Sequence, residues 1–114
     1  MKEIKAIIGL QRLNALHEAL RAVPGFPGMT VGRAESYPCP HPRARPSIRQ
    51  ELTDHVGRWR IEMIVPDELT DVLYDTVVRI LSSGPPGDSV VWVTEVTRAS
   101  FIHKTVGDND TAQG

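Results

Sequence analysis

Cysteine is almost absent from this sequence: Cys39 stands alone, which excludes an intramolecular disulfide framework. An excess of positive charge is missing as well. The formal net charge is -1, whereas a general nucleic-acid binder is clearly basic. No apolar run approaches the roughly 18 residues of a membrane span, so membrane insertion is not expected. The first residues lack a signal-peptide pattern, because Glu3 and Lys5 interrupt their apolar positions. A cytoplasmic protein is the expectation. Catalytic signatures are missing too. Ser, His and Asp occur, but there is no Gly-x-Ser-x-Gly nucleophile elbow and no P-loop. The reading is therefore not an enzyme. What remains is a chain of 114 residues, 40% apolar, which suits one domain with a modest core.

The apolar residues carry clear periodicities. Lys2 to Gly9 alternates as a strand, with Ile4, Ala6 and Ile8 on one side and Lys5 and Ile7 on the other. Leu13, Leu16, Leu20 and Val23 then recur at helical spacing, with Asn14 as the expected cap. Arg12, His17, Glu18 and Arg21 are expected to face water. Pro24 to Gly28 stops that helix. Met29 to Ala34 reads as a second strand. Arg58 to Val65 is the clearest strand: Trp59, Ile61, Met63 and Val65 form one face, and Arg58, Arg60, Glu62 and Ile64 the other. Asp67 is the expected cap of a second helix, whose stripe is Leu69, Val72, Leu73, Val77, Ile80 and Leu81. Ser82 to Asp88 is rich in turn residues. Ser89 to Val93 is apolar on both sides, which predicts a central strand, and Thr94 to Lys104 reads as a short strand or turn. This order predicts an α+β fold, a ferredoxin-like βαββαβ sandwich with both helices on one face of an antiparallel sheet. The other face is then bare, a reason to expect an oligomer that covers Trp59 and Trp92.

Between the two halves lies a long stretch from Ser36 to Gly57. Pro38, Pro40, Pro42 and Pro46 each lack a backbone donor and restrict the residue before them, so no helix or ladder is expected there. A loop of this length in a small domain is read as functional, and its composition predicts mobility in the free protein. Arg43, Arg45 and Arg49, with Arg58 at the strand edge, are candidates for holding a small anion. The plainer reading is a charged, solvated loop. Cys39 and His41 are spaced as possible ligands for zinc or copper, with His55 and His103 available, but no second cysteine accompanies them.

Several stretches resemble the nitrogen-regulatory PII family of signal-transduction proteins. They are Met1 to Ile8, Leu13 to Leu20, the run Gly28-Met29-Thr30-Val31, the run from Arg58 to Asp67, and Gly84 with Gly87-Asp88. Each is weak alone, but together and in order they resemble the family over most of the chain. The resemblance implies residues 1–105 as one PII-like domain, a partner-docking T-loop over about 37–56, and a flexible tail over 106–114. It implies a homotrimer with adenine nucleotide in the clefts between subunits. Ile7, Gly28, Met29, Thr30, Glu62 and Ile64 would surround base and sugar. Arg58, Gly87 and Asp88, followed by Ser89, would lie near the phosphates. The physics agrees, because glycine turns bring amides near an anion and arginine can hold it at two points.

The departures from the family pattern redirect the reading. After Gly87-Asp88 the family usually has glycine and lysine; here stand Ser89 and Val90. Two late arginines of the family fall at Phe101 and His103, with Lys104 as a partial substitute. The loop lacks the family's glycine–arginine–glutamine run, and with it the glutamine that helps hold Mg²⁺ and 2-oxoglutarate. Tyr37 stands at the loop's root, not at mid-loop where nucleotidylation occurs. The expectation is a divergent PII-like regulator that prefers ADP or AMP over ATP. Its effector is expected to be a small anion, bicarbonate first. Its loop is expected to engage a membrane transporter or enzyme of inorganic-carbon metabolism. The alternatives are a PII-like regulator linked to metal transport through Cys39 and His41, and a small ferredoxin-like enzyme with the loop as lid.

Overall fold

The computed structural model describes residues 1–37, 55–84 and 89–102. Strand β1 runs over Lys2–Gly9 and is followed by a single 3-10 turn, Leu10–Arg12. Helix α1 spans Leu13–Arg21, and β2 spans Thr30–Ser36. Strand β3 spans Val56–Val65, helix α2 Asp67–Ser82 and β4 Val90–Glu95. The strands form one sheet in the order β2-β3-β1-β4, and every neighbouring pair is antiparallel. The architecture is thus α+β with ferredoxin-like βαββαβ order, as the periodicities predict.

The alternation in β1 and β3 decides where the core lies. Ile4, Ala6 and Ile8 of β1 pair with Met63, Ile61 and Trp59 of β3, and directly paired residues share a face. That face meets Leu16 and Leu20 of α1 and Leu73 and Val77 of α2 in one cluster, so both helices cover the same side of the sheet. Each side chain in that set of four helix residues is fully buried. Burial of this kind contributes about 1.5–3 kcal/mol per large aliphatic side chain. Thr70 and Thr76 also face inward, and their hydroxyls are satisfied by donating to the carbonyls of Pro66 and Val72 one turn earlier.

Several expectations are corrected. Val72 is 44% exposed and drops out of the α2 stripe, whose Leu73 and Val77 are buried and whose Leu69, Ile80 and Leu81 pack against the core, with Thr70 and Thr76 added to it. Asn14 lies inside α1, whose N-cap position is Arg12, and no side chain caps it. Asp67 is the first residue of α2, not its cap, and its carboxylate pairs with the amino terminus and Lys2. Arg12 does not face water: its Nη2 donates to the carbonyl of Ile80 and to Ser83 Oγ, both at 2.6 Å. Strand β4 is an edge strand rather than a central one. Its Val91 packs on the core, while Val90 and Trp92 on the other face stay exposed, so that second apolar face is not buried within the subunit. Trp59 packs against the core, and its indole N–H donates to the Leu10 carbonyl at 3.1 Å. It needs no partner subunit to cover it. The strands also reach further into the long stretch than expected, since β2 ends at Ser36 and β3 begins at Val56.

Candidate functional site

The uncovered face of the sheet carries the candidate site. Glu3, Lys5 and Ile7 of β1 lie on it, opposite Ile64, Glu62 and Arg60 of β3. Thr30 of β2 pairs with Glu62, and Val90 and Trp92 of β4 pair with Ile7 and Lys5. This follows directly from the two-residue repeat: the residues between the core positions must point the other way.

At one end of this face is a hollow of about 490 Å³. Its walls are Glu3, Pro27, Gly28, Met29, Thr30, Glu62, Met63, Ile64 and Phe101. Gly28, two residues before β2, has φ +100°, a conformation that side-chain-bearing residues rarely adopt, and a Cβ there would meet nothing within 4 Å. Backbone geometry rather than space therefore calls for glycine at this position. Lys5 Nζ lies 3.7 Å from Glu3 Oε1 and 3.9 Å from Glu62 Oε2, which ties the two carboxylates together beside the hollow. Phe101 reaches the hollow from the chain beyond β4, where Val96 N–H donates to the Met1 carbonyl and extends the pairing past the strand end.

The structure thus brings Gly28, Met29, Thr30, Glu62 and Ile64 together. Arg58 is not among them, and Ile7 lies at their margin. Ile7 pairs with Arg60, two residues before Glu62 on the same face of β3, and so stands beside the hollow as a diagonal neighbour of Glu62 without lining it. Arg58 lines a second hollow, of about 290 Å³, with Gly9, Leu10, Gln11, Arg12, Val56 and Gly57. Its Nη1 donates to the Gly57 carbonyl at 2.9 Å. Ser89 lies next to β4, one residue before its start. Gly87, Asp88, His103 and Lys104 lie outside the described residues, as do Arg43, Arg45, Arg49, Cys39 and His41. At the root of the long stretch, His55 Nε2 lies 3.3 Å from Glu35 Oε2, and its ring is 5.6 Å from that of Tyr37. Among the described residues, no three His, Cys, Asp or Glu side chains gather as a metal site.

The sequence reading missed Glu3, Pro27 and Phe101 as wall residues. Glu3 was legible in principle, since it shares the Ile7 side of β1. In the sequence, Phe101 marks only a place where the family resemblance implies an arginine. Its contact with the base of β2 depends on where the chain goes after β4, which no periodicity encodes.

No helix among the described residues is long and apolar enough to cross a membrane. Fold and hollow together define a small ferredoxin-like protein with a ligand-sized depression on the bare face of its sheet. No family model matches the chain. It is 33% identical over 119 aligned residues to nitrogen regulatory protein P-II 1 of Escherichia coli strain K12, covering 98% of each chain. It is 32% identical to nitrogen regulatory protein P-II of Klebsiella oxytoca, again over 98% of each chain. The corresponding protein of Haemophilus influenzae is 29% identical, over 98% of this chain and 99% of its own. The chain belongs to the nitrogen regulatory P-II family. It is a divergent member, and its relatives are named as regulatory proteins.

Proposed function

We propose that the protein is a trimeric P-II-type regulator that binds an adenine nucleotide, ADP or AMP in preference to ATP. A small anion, bicarbonate first, is the co-effector, and the long loop engages a transporter or enzyme of inorganic-carbon metabolism. The observation that carries this reading is the hollow at Gly28, Met29, Thr30, Glu62 and Ile64. These are the positions that the family resemblance assigns to base and sugar. The separation of Arg58 from that hollow supports a site completed by a second copy. One subunit would supply the Met29–Glu62 side and its neighbour the Arg58 side.

The residues at the expected phosphate end support the nucleotide preference. Val90 is 52% exposed where the family has a lysine, and it offers no charge to a phosphate. A charge-assisted hydrogen bond contributes about 1.5–3 kcal/mol, so losing even one removes much of the advantage a third phosphate would confer. Calorimetric titration with AMP, ADP and ATP tests this. AMP or ADP binding at least as tightly as ATP is expected, with Val90→Lys raising the affinity for ATP. ATP binding tenfold tighter than ADP overturns the preference. The anion is tested by repeating the nucleotide titration at several bicarbonate concentrations and fixed ionic strength. Linkage requires each ligand to strengthen the other by the same factor. Unchanged nucleotide affinity removes bicarbonate. A shift with Zn²⁺ or Cu⁺ that Cys39→Ser abolishes would put the metal-linked regulator in its place.

A further inference from the structure

Phe101 occupies a position where the sequence comparison finds only a lost positive charge. The structure puts it in a different chemical setting. It lines the hollow together with Met29, Thr30, Glu62 and Ile64. It is 42% exposed, so a large part of an aromatic side chain is open to solvent at the wall of a cavity. The chain that bears it is anchored by the Val96–Met1 backbone hydrogen bond. The hollow thus pairs apolar surface from Phe101, Met29 and Ile64 with acceptor oxygens from Glu3, Glu62 and Thr30. That combination suits a flat heteroaromatic ring with amine hydrogens at its edge. The ring face lies against apolar side chains, and the exocyclic amine donates to a carboxylate or hydroxyl oxygen. It suits a phosphate less well, because Lys5 and Arg60, the cations beside the two carboxylates, are already paired with them.

We propose that Phe101 is a stacking residue for the nucleobase, so that binding in this protein rests on the base rather than on the outer phosphates. The inference rests on the nucleotide-binding reading above and names a specificity-determining residue within it. Stacking on an aromatic side chain does not depend on the number of phosphates the ligand carries. A consequence follows for the ligand class: free adenosine, lacking phosphate altogether, retains most of the binding.

The test is a titration of the full chain with adenosine, AMP, ADP and ATP for the wild type and for Phe101→Ala, Phe101→Leu, Phe101→Tyr and Phe101→Arg. Circular dichroism and melting curves check that each variant folds. Phe101→Ala is expected to weaken adenosine, AMP and ADP by one common factor, roughly tenfold or more. Phe101→Tyr retains binding, and Phe101→Leu falls between the two. Phe101→Arg weakens adenosine while improving ATP relative to it. Adenosine affinity unchanged in a folded Phe101→Ala variant overturns the proposal, as does a Phe101→Leu variant that binds as the wild type does. A wild type that binds no adenine ligand removes the nucleotide reading and this inference with it. A wild type that binds while Phe101→Ala makes no difference removes Phe101 alone.

Discussion

At the scale of single residues, Arg12 and Gly84 form an unexpected pair. The Arg12 guanidinium bridges the turn after β1 to the end of α2 through Ile80 and Ser83. A Cβ added at Gly84 would lie 3.0 Å from Arg12 Nε and 3.1 Å from its Cζ. Gly84 is therefore required by close packing against a fixed side chain. Gly84→Ala is expected to destabilise the fold by about 1–3 kcal/mol, the usual range for overpacking. The cause is separable by a double-mutant cycle in urea. In an Arg12→Lys background the same change should cost clearly less, because a thinner side chain yields. An identical cost in both backgrounds would place the strain elsewhere. Trp59 offers a second residue-scale test. Trp59→Phe keeps most of the packing and deletes the bond to the Leu10 carbonyl. The expected loss is about 0.5–1.5 kcal/mol, read as a lower denaturation midpoint.

At the scale of elements, the start of α2 depends on ion pairs rather than on a cap. Asp67 Oδ1 lies 2.9 Å from the terminal amine and 3.2 Å from Lys2 Nζ, and Lys2 Nζ lies 2.7 Å from Glu95 Oε2. One cluster thus ties β1, α2 and β4 together. Hydrogen bonding to the terminal amine, then to Lys2, holds the Asp67 carboxyl below its ordinary value of 3.8. A carboxyl lowered in the folded state contributes stability that is present above 3.8 and lost as pH falls through the lower folded value. Bonding to Glu95 first, then Asp67, raises Lys2 above 10.5, so its contribution holds below 10.5 and fades as pH rises through the higher folded value. These groups are exposed to solvent, so the effect is small and weakened by salt. Melting temperature measured from pH 2 to 7 at low ionic strength should fall less steeply on the acid side for Asp67→Asn than for the wild type. Parallel curves for the two would mean that the cluster contributes nothing to folding.

The whole molecule raises the question of what covers the bare face of the sheet. Ile7, Val90 and Trp92 share that face, with Trp92 still 37% exposed at its edge. The proposed trimer predicts light scattering at three times the 12.6 kDa subunit mass. Trp92→Glu places a charge among apolar neighbours and should shift the population toward the single-subunit mass. The wild type at that mass at micromolar concentration would leave the nucleotide site without its second half.

The sequence by itself determined the element order, the core faces of β1 and β3 and most of the α1 stripe. Those follow from periods of two and 3.6 residues, which depend only on local backbone geometry. It also determined which residues lie on the side of the sheet away from the helices, because burying Ile4 and Ile61 obliges Lys5 and Glu62 to point outward. Tertiary structure decided the rest. That β4 is an edge strand depends on which strand pairs with β1, and an apolar run does not name its neighbour. That Asp67 binds the amino terminus instead of capping a helix depends on β1 and α2 starting side by side. That Arg12 bonds to Ile80, and Phe101 lines the hollow near Met29, depends on contacts between residues far apart in the chain. Local pattern fixes the direction in which a side chain points, but only the packing of whole elements fixes what it meets.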